Sequence, residues 1–223
     1  MKQRSKIIKD LIMNNINVLQ AMQSLNLMLE DLGDKAIKKW VNNEINGYQK
    51  DDDIPDYRIA STMLIGNVQV GYTVYNHINI PLSDSKAIDA FTKLEIRDPI
   101  STIIQMSKAE SETETHSLII ETNAVLVNHF QQTNGYVINA HRELSIYAYT
   151  NILGVIKDKL LEIFKVLENN YGNLDELYID FSDSSKKDEI VKELVAIVYN
   201  DNSIKIGNNN QFKDSVVGDD NGN

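Results

Sequence analysis

Between residues 59 and 80 the apolar side chains fall mostly on alternate positions, as Met63, Ile65, Val68, Val70, Tyr72, Val74, Ile78 and Ile80. On both sides of this stretch they recur instead at intervals of three and four. A period of two turns one side of an extended chain toward a core, whereas a period near 3.6 does the same for one stripe of a helix. A chain carrying both must pack sheet against helix. The expected fold class is therefore α+β: a helical N-terminal part, a small central β-sheet and a long C-terminal helix. A short strand-helix segment and a β-prone tail follow.

The helical stretches have readable ends. Residues 3–13 and 15–32 carry Ile7, Ile8, Leu11 and Ile12, then Leu19, Met22, Leu25, Met28, Leu29 and Leu32. Gly33 closes the second, and Asp34 stands where a third needs an N-cap. Ile37, Trp40, Val41 and Ile45 then share a face up to Gly47, with Trp40 read as a core anchor. In the strand region Gly66 and Gly71 mark bends. Ser83 or Asp84 caps a short helix to about Lys93, and another helix follows Pro99. Residues 107–116 form an acidic, hydroxyl-rich linker, 118–120 a strand, 122–132 a helix, and Asn134-Gly135 a turn. From Tyr136 to Tyr171 the spacing predicts the longest helix, with Ile146, Ile152, Ile156, Leu160, Phe164 and Leu167 on its apolar face. Leu177, Ile179 and Phe181 alternate as a strand, and a helix over 186–199 follows. The expected organisation is a main domain over 1–172, a strand-helix extension over 173–200 and an interaction tail over 201–223.

Charge narrows the function classes. A net charge of −10 disfavours a mainly electrostatic nucleic-acid or anionic-membrane binder. With no cysteine, thiol catalysis, disulfides and thiolate metal sites are excluded, which suits a reducing cytoplasm. No apolar run reaches the length of a membrane-spanning helix, and Lys9 and Asp10 interrupt what would otherwise resemble a signal peptide.

Chemistry-bearing residues are sparse. The four histidines, His77, His116, His129 and His141, form no HxxxH or HExxH pair, so the sequence predicts no metal and no cofactor. Asp51, Asp52 and Asp53 are adjacent, point in different directions, and read as a solvated loop. His141-Arg142-Glu143, placed at the head of the long helix, reads as an acid/base cluster or as an exposed helix start. Glu162 and Glu168 read as that helix's solvent face. No nucleophile elbow or Gly-rich phosphate loop is present, and no catalytic residue is assigned.

Several blocks carry a family resemblance. They are Leu32-Gly33-Asp34, then Trp40-Val41-Asn42-Asn43-Glu44-Ile45-Asn46-Gly47-Tyr48, and Ile54-Pro55-Asp56-Tyr57-Arg58. Further on come Ile80-Pro81-Leu82-Ser83, Leu94-Glu95-Ile96-Arg97-Asp98-Pro99-Ile100, and the helix with Ile152-Leu153, Val155-Ile156, Lys159-Leu160-Leu161 and Phe164. In this order, over roughly residues 1–170, they resemble the AbiTii domain of bacterial abortive-infection proteins. Lys157 stands where the family usually has Arg, and Ala140-His141 replaces an aromatic-containing step. The resemblance implies defence against bacteriophage, usually within a system that halts the infected cell. It carries over no catalytic residue.

The last twenty residues hold a separate signal. Ile204 and Ile206 alternate, the run from Gly207 to Asn210 favours a turn, and Phe212, Val216 and Val217 form a second apolar set. Ile204-Lys205-Ile206-Gly207-Asn208-Asn209-Asn210-Gln211-Phe212 is similar to the RIP homotypic interaction motif, with Lys205 where that motif has Gln. That resemblance implies cross-β stacking through Ile204, Ile206, Gly207, Asn210 and Phe212. An unstructured Asn-rich end, one docked edge strand, or a trimerising β-arch are the other readings. Val68-Gln69-Val70-Gly71 matches the motif's four-residue core, but Val74 stands where Asn belongs, and the segment reads as part of a buried hairpin.

Together these readings describe a cytoplasmic antiphage adaptor that pairs with itself or with another defence protein, without nucleic acid or membrane. The alternatives are an effector enzyme (a nuclease or nucleotide hydrolase) and a ligand sensor.

Overall fold

The structure, a computed structural model, describes residues 4–108 and 117–199. Three helices lead: α1 (Lys6–Ile12), α2 (Val18–Met28) and α3 (Lys35–Asn46). Each boundary has a physical cause. Asn17 caps α2 by accepting from the Gln20 N–H while the Gln20 side chain accepts from the Asn17 N–H, a reciprocal box that satisfies two otherwise orphaned donors. Asp34 caps α3 through the Ile37 N–H, and Gly47 ends it at φ 89°.

Next come β1 (Ile59–Val70), β2 (Thr73–Asn79), α4 (Ser85–Thr92), β3 (Lys93–Glu95) and α5 (Ile100–Met106). Asp84 is the cap of α4, accepting from the Lys86 and Ala87 N–H groups. After the undescribed residues 109–116 follow β4 (Ser117–Thr122), α6 (Ala124–Phe130), β5 (Tyr136–Ser145), α7 (Tyr147–Tyr171) and α8 (Ser184–Tyr199).

The sheet is antiparallel with strand order β2-β1-β5-β4, and β3 pairs with the first residues of β1. Two apolar clusters result. The larger joins α1, α2, α3, α5, α7 and α8, with Trp40, Phe164 and Met22 among its fully buried side chains. Leu174, Ile179 and Phe181, which follow α7, are buried in it as well. The smaller lies between one sheet face and the helices α4 and α6, around Leu64, Val68, Phe91, Val127 and Val137. No described helix is long and apolar enough to cross a membrane.

Four local expectations are corrected. Residues 136–145 are not the start of the long helix; they form β5, which is hydrogen-bonded to β1 on one side and β4 on the other. Pairing on both edges overrides the helical spacing, and a bulge at Ile138 breaks the alternation that would have revealed a strand. Residues 177–181 form no strand, and Leu177 sits in a bend with φ 54°. Glu168 does not face solvent: its side chain is 1% exposed. The hairpin holding Val68-Gln69-Val70-Gly71 is buried only at Val68, since Val70, Tyr72 and Val74 are all exposed.

Candidate functional site

A chain of buried polar groups runs through the helical half. Glu44 sits at the centre. Its Oε1 accepts from the Tyr48 hydroxyl at 2.7 Å and the Tyr57 hydroxyl at 2.6 Å, and the Tyr57 oxygen in turn accepts from Trp40 Nε1 at 2.9 Å. Its Oε2 receives Arg58 Nη2 at 2.5 Å, while Arg58 Nη1 reaches the carbonyls of Ile96 and Asp98. The Arg58 guanidinium also lies over the Tyr48 ring, 5.0 Å from its centre. Burial, reinforced by the neighbouring Glu44 carboxylate, pushes both tyrosine hydroxyls well above their ordinary pKa, so they remain proton donors. Glu44 and Arg58 are fully buried, so the network braces α3, the segment leading into β1 and the β3–α5 connection. Two cavities border Tyr57. One, of about 570 Å³, is walled by Ile59, Tyr147, Ile152 and Val155, and the other, of about 240 Å³, reaches Lys159 and Tyr199.

A second constellation lies on the sheet. The Leu64 face is covered by α4 and α6, whereas on the opposite face Met63 and Ile119 remain 51% and 53% exposed. On that open face β5 presents His141 and Glu143, two residues apart and therefore on the same side of the strand. His141 Nε2 lies 3.1 Å from Glu143 Oε1. His77 comes from β2, beyond the intervening β1, and its Nε2 lies 3.6 Å from the same Oε1. Its approach depends on backbone irregularity. The β1–β2 register shifts between Gly66 and Val68, and His77 takes φ 52° with its N–H held by Asn67 Oδ1 at 2.9 Å. Gly66 lets β1 lie close against β5, because a Cβ there would sit 2.2 Å from the Asn139 carbonyl. One ligand-capable atom from each of His77, His141 and Glu143 lies within 4.8 Å of the others.

The AbiTii family model matches residues 5–193. The chain belongs to the AbiTii family. Membership supports a role in abortive infection, an antiviral defence. No curated protein and no solved structure matches the chain.

The AbiTii match runs past α7 and across most of α8. Within this AbiTii chain, three of the six blocks behind the family resemblance, those around Trp40–Tyr48, Tyr57–Arg58 and Ile96–Asp98, converge on Glu44 in one buried network. The tail residues Ile204, Ile206, Gly207, Asn210, Phe212, Val216 and Val217 lie outside the described residues, as does His116. His141 and Glu143 come together as the sequence suggested, but on a strand and without Arg142, which alternates to the other face. His129 is apart on α6, edge-on to Phe130. Sequence reasoning missed His77, whose partnership depends on strand order and on a bulge. The available signal was the His-x-Glu spacing, which shares a face only if 136–145 is a strand.

Asp52, read in the sequence as part of a solvated loop, is a structural residue whose side chain is 15% exposed. It pairs with Lys39 at 2.8 Å and accepts from the Gln49 N–H, contacts that hold its carboxyl below the usual range. Arg97 fastens the same loop through the Gln49 and Asp52 carbonyls.

Proposed function

We propose that this AbiTii chain acts in abortive-infection defence as an interaction module, its folded body carrying a C-terminal strand-pairing motif. The observation that carries the reading is the spacing Ile204-x-Ile206-Gly207-x-x-Asn210-x-Phe212 in the residues after α8. Two apolar strands around an Asn-rich turn, which this spacing would form, would be too short to bury a core alone and would gain most by adding to a matching template. The anchoring of α8 supports a role as a rigid mount: Val198 is buried, and Tyr199 donates its hydroxyl to the Ala36 carbonyl. Pairing of tails would then concentrate AbiTii bodies or their effector partners. Lys205 places like charges in register and limits stacking relative to a Gln ladder.

The test compares the parent with Ile206→Asp. The parent is expected to sediment as an assembly or to bind thioflavin, and the variant to remain monomeric with the same circular dichroism. Equal assembly by both would refute the reading.

An effector-enzyme reading has one specific support, the convergence of His77, His141 and Glu143 on an open face. Incubating cell extract with pure protein separates the two: loss of nucleic acid or NAD that Glu143→Ala abolishes favours the enzyme.

A further inference from the structure

We propose that His77, His141 and Glu143 form a binding site for a divalent transition-metal ion of zinc-like preference on the open face of the sheet. The donor set decides the ion class. Two imidazole nitrogens and one carboxylate oxygen suit zinc, cobalt, iron or nickel, whereas magnesium and calcium favour all-oxygen shells.

The spacing agrees with this chemistry. Ligands about 2.0–2.1 Å from a tetrahedral zinc lie roughly 3.3 Å from one another. The two imidazole Nε2 atoms stand 3.1 and 3.6 Å from Glu143 Oε1, on either side of that value. A simple histidine–glutamate hydrogen bond accounts for His141 alone. It does not account for a second ring turned toward the same oxygen from two strands away, with ring centres 6.1 Å apart.

The backbone supplies an independent argument. A left-handed conformation in a non-glycine residue within a strand is costly, and His77 adopts it where β2 must deliver a ligand across β1. Asn67 holds that conformation through the His77 N–H, and Asn139 Oδ1 holds Asn67 through its own N–H at 3.1 Å. These amides fix the backbone from which the His77 ring projects.

Access is graded. Glu143 is 6% exposed, the His141 side chain 21%, and the His77 side chain 65%. The ion would sit on the solvent side of a buried carboxylate, with three protein ligands and coordination positions left for water or an anionic ligand. Glu121 pairs with His141 across β4 and β5, and so adds a carboxylate to the same face.

The site is independent of tail-borne assembly, so either can fail alone. The experiment titrates untagged, chelator-treated full-length chain with zinc, cobalt and magnesium, following heat release, thermal midpoint and the visible ligand-field bands of cobalt. One equivalent of zinc or cobalt is expected to bind and raise the midpoint, with magnesium inert. His77→Ala removes a largely exposed side chain and should leave the fold intact while weakening zinc binding about a hundredfold or more; His141→Ala should do the same. His129→Ala should bind like the parent. If no ion shifts the midpoint, if magnesium matches zinc, or if the His77 and His141 variants bind zinc as tightly as the parent, the site is refuted.

Discussion

Glu44 and Arg58, fourteen residues apart in the chain, meet at 2.5 Å with both side chains fully buried. Taking two charges out of water is tolerable only when their remaining donors and acceptors are satisfied. Here the two tyrosines complete the carboxylate and two backbone carbonyls take Nη1 of the guanidinium, while Arg58 Nε is left buried without a hydrogen-bond partner among the described residues.

Arg58→Ala removes one partner and strands the carboxylate in the core. Breaking a buried pair in this way costs about 3–5 kcal/mol. At roughly 2–4 °C per kcal/mol for a domain of this size, the thermal midpoint should fall by about 6–20 °C. Calorimetry of parent and variant checks this. A shift of only a degree or two would mean that the network is not bracing the fold.

Glu168 should make the fold sensitive to acid. Burial works to raise its pKa, but the Ser5 N–H, the Ser5 hydroxyl and Arg4 outweigh burial and hold the carboxyl below its ordinary value of 4.5. A group with a lowered folded pKa adds stability that is complete above the unfolded value and is lost as pH falls through the folded one. The urea midpoint of the parent should therefore drop on going from neutral pH to below 4.5, and Glu168→Gln should remove part of that drop. Equal pH profiles for the two proteins would remove the contact between α7 and the chain's beginning from the account.

Asn67→Ala tests whether Asn67, opposite the β2 bulge, aims His77. The side-chain oxygen that holds the His77 N–H is lost, while every ligand atom of the three-residue cluster is retained. Zinc affinity should fall about 10- to 100-fold, as for a lost ligand support, with little change in the thermal midpoint of the metal-free protein. Unchanged affinity would show that His77 holds its direction without Asn67.

Most of the helical half was legible because its boundaries are written in side chains that satisfy orphaned backbone groups. Asp34, Asp84 and Gly47 act where the sequence places them. The expectation failed where tertiary pairing supplies the order. In β5, Val137, Ala140 and Leu144 face the two cores but are spaced by a bulge, while the open face carries Asn139, His141 and Glu143 instead of β-branched residues. Reading that stretch as helix grouped His141 and Glu143 with Arg142 at a helix start and gave no reason to look to β2 for His77. Glu168 was misread for a related reason: its partners Arg4 and Ser5 lie more than 160 residues earlier, beyond the reach of any local pattern.

The central claim is that this AbiTii chain defends cells through assembly borne by its tail. Phage challenge in liquid culture tests it most directly, comparing cells that carry the parent or Ile206→Asp at matched protein levels. The account predicts that the parent lowers phage yield and that its cultures collapse when every cell is infected, while Ile206→Asp cells release phage like cells without the protein. Full protection by Ile206→Asp would contradict it.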